Sequence, residues 1–135
     1  MYKHILVPVS FEDDRNTAEA LAVAQKLSDS DGRVTMLHVM EQVPSYVVNY
    51  IPDGFHEKAK AAIIQSLSDL AGDMENAKAI VVDGHSGRTI LNWSEGNAAD
   101  LIVIASHRPG MADYFLGSTA AQVVRHAKCS VHVVR

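Results

Sequence analysis

At 135 residues, 47% of them hydrophobic and 21% charged, the chain has the size and makeup of one domain, 1–135, able to cover a sheet on both faces. No apolar run approaches ~20 residues, which excludes a helical membrane span, and a net charge of −4 without a basic stripe argues against nucleic acid as the partner. A single cysteine, Cys129, excludes an intramolecular disulfide and fits a reducing, cytoplasmic setting.

Met1-Tyr2-Lys3-His4-Ile5 runs directly into a strand pattern, Tyr2 to Val9, and leaves no room for a signal peptide. The loop Ser10-Phe11-Glu12-Asp13-Asp14 leads to a helix from Asn16 to Ser28, with Ala20, Leu21, Ala24 and Leu27 on one face. Ser30-Asp31-Gly32 reads as a turn before a second buried strand, Val34 to Met40. Glu41 to Gly54 holds two prolines with Val43, Tyr46, Val47, Val48, Tyr50 and Ile51. That is too apolar for a free linker and predicts an ordered excursion, a lid or contact surface.

Phe55 to Met74 is the longest predicted helix, with Ala59, Ile63, Leu67, Leu70 and Met74 at helical spacing. Lys78 to Val82 is a third strand, Asp83 to Gly87 the turn after it, and Arg88 to Gly96 a third helix closed by Gly96-Asn97. Leu101 to Ala105 is a short apolar run of the kind buried on both faces. A polar loop with Ser106, His107, Arg108, Pro109 and Gly110 follows. Gly117-Ser118-Thr119 then opens a fourth helix, Ala120 to Ala127, and Cys129 to Val134 is the fifth strand.

Five strands alternating with four helices call for an α/β, doubly wound parallel sheet. Ligands sit at the carboxyl ends of such strands, where strand order reverses. With the first strand central and the fourth beside it, the site falls between Pro8–Ser10 and Ala105–Arg108. A strand, a polar loop and a helix N-terminus offer free N–H groups and a favourable dipole to a phosphate, and Arg108 adds a forked cation.

Competing patterns fare worse. The first loop has no glycine and three acids, so neither G-x-G-x-x-G nor G-x-x-x-x-G-K-[ST] is present there. Its acids repel phosphate and read as charge at a helix N-terminus, although Mg²⁺ carried in with phosphates could use one of them. Ser106-His107 lacks a third orienting group, and in Gly84-His85-Ser86-Gly87-Arg88 an arginine stands where a nucleophile elbow needs glycine. His126, Cys129 and His132 straddle a helix end, a turn and a strand, which is wrong for zinc. His38 and Trp93 read as packed residues. A receiver domain would need a lysine after the fifth strand and a fifth helix, and the pattern supplies neither.

These residues resemble the universal stress protein family. Ile5-Leu6-Val7-Pro8, Leu37-His38-Val39, Ala99-Asp100-Leu101-Ile102-Val103 and Val131-His132-Val133-Val134-Arg135 stand in family register over essentially the whole chain. Ala-Ser-His-Arg-Pro with Tyr114-x-Leu116-Gly117-Ser118, and Val124-Arg125-His126-Ala127-x-Cys129-Ser130-Val131, are similar to the bacterial F/G branch. The resemblance implies strand order 3-2-1-4-5 and an ATP or AMP site. Nucleotide-binding members usually carry G-x2-G-x9-G-[ST]. Here Ala105 and Arg108 replace the first two glycines, eight residues precede Gly117, and Ser10 stands where aspartate is usual.

Carried over, the adenosine pocket is Pro8, Val9, Ser10 and Val39, with backbone atoms of Val39 reading the adenine edge, Ile104, Ala105, His107 and Arg108 along ribose and first phosphate, and Gly117, Ser118 and Thr119 at the outer phosphates. The resemblance further implies a stress-response sensor or regulator that dimerises through its fifth strand, with at most slow ATP hydrolysis or autophosphorylation. The alternative is a structural or protein-interaction module with a degenerate pocket that binds no nucleotide, acting through Glu41–Gly54 and its dimer face on an unknown partner.

Overall fold

The first strand sits at the centre because it is apolar on both faces. The structure, a computed structural model, describes residues 1–11, 14–41, 43–106 and 116–135, and for residues 14–16 the backbone alone. In chain order the elements are β1 (Tyr2–Pro8), α1 (Asp14–Leu27), β2 (Ser28–Met40), a 3-10 turn (Val48–Tyr50), α2 (Phe55–Ala71), β3 (Ala77–Asp83), α3 (Ser86–Gly96), β4 (Leu101–Ala105), α4 (Ser118–His126) and β5 (Ser130–Val134). The five strands form a parallel sheet in the order β3-β2-β1-β4-β5, as expected.

Alternation along β1 divides the core. Ile5 and Val7 point to one face with Val34, Met36, Leu101 and Val103, under Ala20, Leu21 and Ala24 of α1 and Leu67 of α2. Leu6 points to the other face with Leu37, Val39, Ile102 and Ile104, under Ile90 of α3 and Ala120 and Val123 of α4. The apolar faces predicted for the first two helices are the ones packed here, with Ile63, Leu70 and Met74 half-buried beside Leu67.

Several boundaries differ from the sequence reading, and three of the differences bear on the packing. β2 begins at Ser28 and not Val34, with Ser30-Asp31-Gly32 inside it. Tyr2 pairs with Ser28 and His4 with Arg33, so the residues between them loop out of the ladder as a bulge. α2 stops at Ala71, because Gly72 takes a left-handed conformation (φ 56°) that ends the helix. α3 starts at Ser86, two residues before Arg88. Gly87 lies against Gln122, where a Cβ would have to push the Gln122 carboxamide aside, so the missing side chain lets α3 lie close to α4.

A polar knot closes the amino-terminal end of the sheet. Asp100 accepts the backbone N–H groups of Lys3 (2.9 Å) and His4 (3.0 Å). The His4 ring is 5% exposed and meets Trp93 edge-on at 5.6 Å. Its Nδ1 lies 2.9 Å from the Asn97 carbonyl, which can only accept, so Nδ1 carries the proton. Nε2 then accepts from the Thr35 hydroxyl at 2.9 Å. Burial pushes the His4 pKa below its ordinary value, helped by Arg33 and opposed by the Asn97 carbonyl and Asp100.

A stability effect follows from that direction. Below about pH 6.5, the usual histidine value, the unfolded chain takes up a proton that folded His4 refuses. The stabilisation is present above that pH and is lost as pH falls towards the depressed folded value, with a slope of at most about 1.4 kcal/mol per pH unit for one proton. Urea unfolding at pH 7.5 and 5.5 should show a smaller loss in His4→Gln than in the native protein. Equal losses in the two proteins would remove His4 from the acid response.

Candidate functional site

Both β1 and β2 end at one cleft. Val9 extends the ladder past Pro8 by donating to the Leu37 carbonyl at 2.8 Å, and the His38 Nδ1–H donates to the Val9 carbonyl at 2.8 Å. Phe11 covers the His38 ring with centroids 5.1 Å apart. These contacts fix the backbone on which Ser10 is carried. On the other side Ser106, fully buried, donates its N–H to Val134 at 2.8 Å, and its carbonyl accepts the Gly117 N–H. The last pair joins the end of β4 to the N-cap of α4.

Between these two edges lies a cavity of about 750 Å³. It opens where strand order reverses, with β2 and β3 to one side of β1 and β4 and β5 to the other. Pro8, Val9, Ser10, Val39, Ile104, Ala105, Gly117, Ser118 and Thr119 all line it. Nine of the sequence-derived site residues are thereby brought together. The remaining two, His107 and Arg108, lie outside the described residues, as do Glu12 and Asp13 of the acidic loop.

The walls are chemically divided. Val9, Val39 and Ile104 are buried and apolar, suited to the faces of a flat ring system. Opposite β2, α4 presents its N-terminus through Gly117, Ser118 and Thr119. Its first turn carries no acidic residue and no side-chain cap, so its free N–H groups are available to an anion.

The sequence reading missed other wall residues. Thr17 and Ala20 come from α1, Ile63 from α2, and Ser86 and Ile90 from α3, while Glu41 follows β2 directly. The Ser86 hydroxyl donates to Glu41 Oε1 at 3.1 Å, which ties α3 to the end of β2. His38 is packed and hydrogen-bonded as expected, and it lines the cavity as well. Trp93 is a packing residue against His4, as read. Ser86 and Gly87 belong to a helix, so they form no elbow. No three His, Cys, Asp or Glu converge as a metal site would among the described residues.

The sequence model of the universal stress protein family matches residues 1–135. The chain belongs to the universal stress protein family. Universal stress protein G of Shigella flexneri is 29% identical over 142 residues, covering all of both chains. The solved universal stress protein UspA from Lactobacillus plantarum is 28% identical, with a TM-score of 0.74 over 99% of this chain and 98% of that one. A family protein from Arabidopsis thaliana, solved with AMP bound, shares the fold at 16% identity and a TM-score of 0.65, covering 98% of this chain and 90% of that one. No helix among the described residues of this universal stress protein is long and apolar enough to cross a membrane.

Proposed function

We propose that this universal stress protein binds an adenine nucleotide, ATP or AMP, in the cleft between β1 and β4, and works as a dimeric cytoplasmic sensor or regulator. The observation that carries the reading is the cavity itself. One helix N-terminus with two hydroxyls shares a cleft with the apolar walls of Val9, Val39 and Ile104, at the switch point of a parallel sheet. Pro8, Val9, Ser10 and Val39 hold the adenosine, Ile104 and Ala105 the ribose side, and Gly117, Ser118 and Thr119 the phosphates. His107 and Arg108 complete the phosphate end on the sequence pattern alone. ATP brings Mg²⁺ with it, coordinated mainly by phosphate oxygens and water. The AMP held by the Arabidopsis relative supports the ligand class.

Thermal unfolding with ATP and with AMP tests the reading. Ligand at ~100 times its dissociation constant stabilises by about 2.7 kcal/mol, a rise of roughly 8–13 °C for a chain of this size. No shift with either nucleotide would overturn it. The interaction-module reading would then stand on the excursion after β2, where Tyr46 (77%) and Tyr50 (85%) are exposed beside Val43, Val48 and Phe55.

The dimer rests on β5, which pairs with β4 on one side and ends the sheet on the other. Its open edge, Val131 to Val134, pairs with the same strand of a second copy and so satisfies both rows of backbone groups. Light scattering should give twice the chain mass, and Val133→Lys should return it to one. A single-chain mass for the native protein at micromolar concentration would sink the dimer.

A further inference from the structure

Among the described residues lining the cleft, Glu41 alone carries a formal charge at neutral pH, and the nucleotide reading gives it no role. We propose that its carboxylate accepts a hydrogen bond from the exocyclic amino group of the bound base and so makes the cleft select adenine. The inference rests on the nucleotide reading and adds a specificity residue to it. A carboxylate repels phosphate, so its place at the β2 end, with the α4 N-terminus at the β4 end, fixes the direction in which a nucleotide lies.

Reach then decides which ligand group it meets. β2 and β4 flank β1, and two strand spacings make roughly 10 Å. That span carries a 5′-nucleotide from its phosphates at α4 to the outer edge of its base beyond β2. The sugar hydroxyls fall midway, over β1 and Ser10. Glu41 is also pre-oriented. The Ser86 hydroxyl occupies Oε1 at 3.1 Å, which leaves Oε2 as the acceptor for one ligand donor. Adenine offers an amino group at that edge. Guanine offers a carbonyl oxygen in the same place, which the carboxylate repels, and its own donors, N1–H and the 2-amino group, lie further round the ring edge.

Competition binding with ATP, purine riboside triphosphate (which lacks the amino group) and 2′-deoxy-ATP tests this on the native protein and Glu41→Ala. Glu41 is exposed, so the substitution spares the core. The native protein should prefer ATP over purine riboside triphosphate by roughly ten-fold, the low end for a contact to a charged group because the site is open to solvent. Glu41→Ala should lower that ratio several-fold, to what backbone atoms of Val39 contribute at the same edge, while binding purine riboside triphosphate as well as the native protein does. An unchanged ratio in the variant, or a native ratio near one, overturns the inference and leaves the nucleotide site standing. A change confined to the 2′-deoxy-ATP ratio places the carboxylate on the sugar and overturns it too. Failure of the native protein to bind any of the three removes the nucleotide site and this inference with it.

Discussion

Ile102→Ala should destabilise the protein by about 2–5 kcal/mol, a large share of the roughly 5–15 kcal/mol that holds a domain together. Ile102 is fully buried in β4, paired with Leu6 on one side and Val131 on the other. It lies in the layer that α3 and α4 cover, with Ile90, Ala120 and Val123. The layer packs parallel strands against helices, and a removed side chain leaves a void that neighbours fixed by ladder hydrogen bonds fill poorly. Ile104, two residues along the same face, forms part of the cleft wall, so slack at Ile102 should also weaken ligand binding. Urea unfolding should show a lower midpoint with an unchanged slope. A loss under 1 kcal/mol would mean that α3 and α4 do not close on the sheet as described.

The sheet was legible because its strands are apolar on consecutive residues. Ile5-Leu6-Val7 and Leu101-Ile102-Val103-Ile104 leave no polar face, and only a strand covered on both sides accepts that pattern. Strand order follows once the family register is recognised. The ends of the helices were harder to read, because close packing decides them. A glycine at position 87 argues against helix by propensity, yet it lies inside α3, at the point where a side chain would displace the Gln122 carboxamide of α4. Met74 continues the apolar period of α2 beyond its end and still packs on the core, after Gly72 has turned the chain.

The cleft was half legible for a related reason. Residues immediately past a strand end, Ser10 after β1 and Ala105 at the end of β4, are placed by the strand-end rule alone. Glu41 occupies the same kind of position after β2, and that rule would have found it. Thr17, Ile63, Ser86 and Ile90 reach the cleft from three different helices. Their approach depends on how each helix crosses the sheet, and no local spacing encodes it.

Ser118→Asp should strengthen the fold and abolish nucleotide binding. Ser118 is exposed and is the first residue of α4, whose opening turn holds no acid. A carboxylate there complements the helix dipole, for a gain of about 0.3–1 kcal/mol. A bound phosphate uses the same N–H groups, so the new carboxylate competes for them and repels the ligand. At ~4 Å and an effective dielectric near 20, one such charge pair costs about 4 kcal/mol, and solvent at this exposed position reduces that figure. A fall in ATP affinity of at least 100-fold remains, about 2.7 kcal/mol by the usual conversion. Ser118→Asn is the control, since it keeps the size and polarity without the charge and should bind within a few-fold of the native protein. If Ser118→Asp raises the unfolding midpoint and ATP binds as before, the α4 N-terminus is a structural cap and the phosphates lie elsewhere. If both variants lose binding equally, shape and not charge governs that end of the cleft. The opposite signs separate the two roles of this helix end, because a purely structural one predicts a gain in stability with no change in affinity.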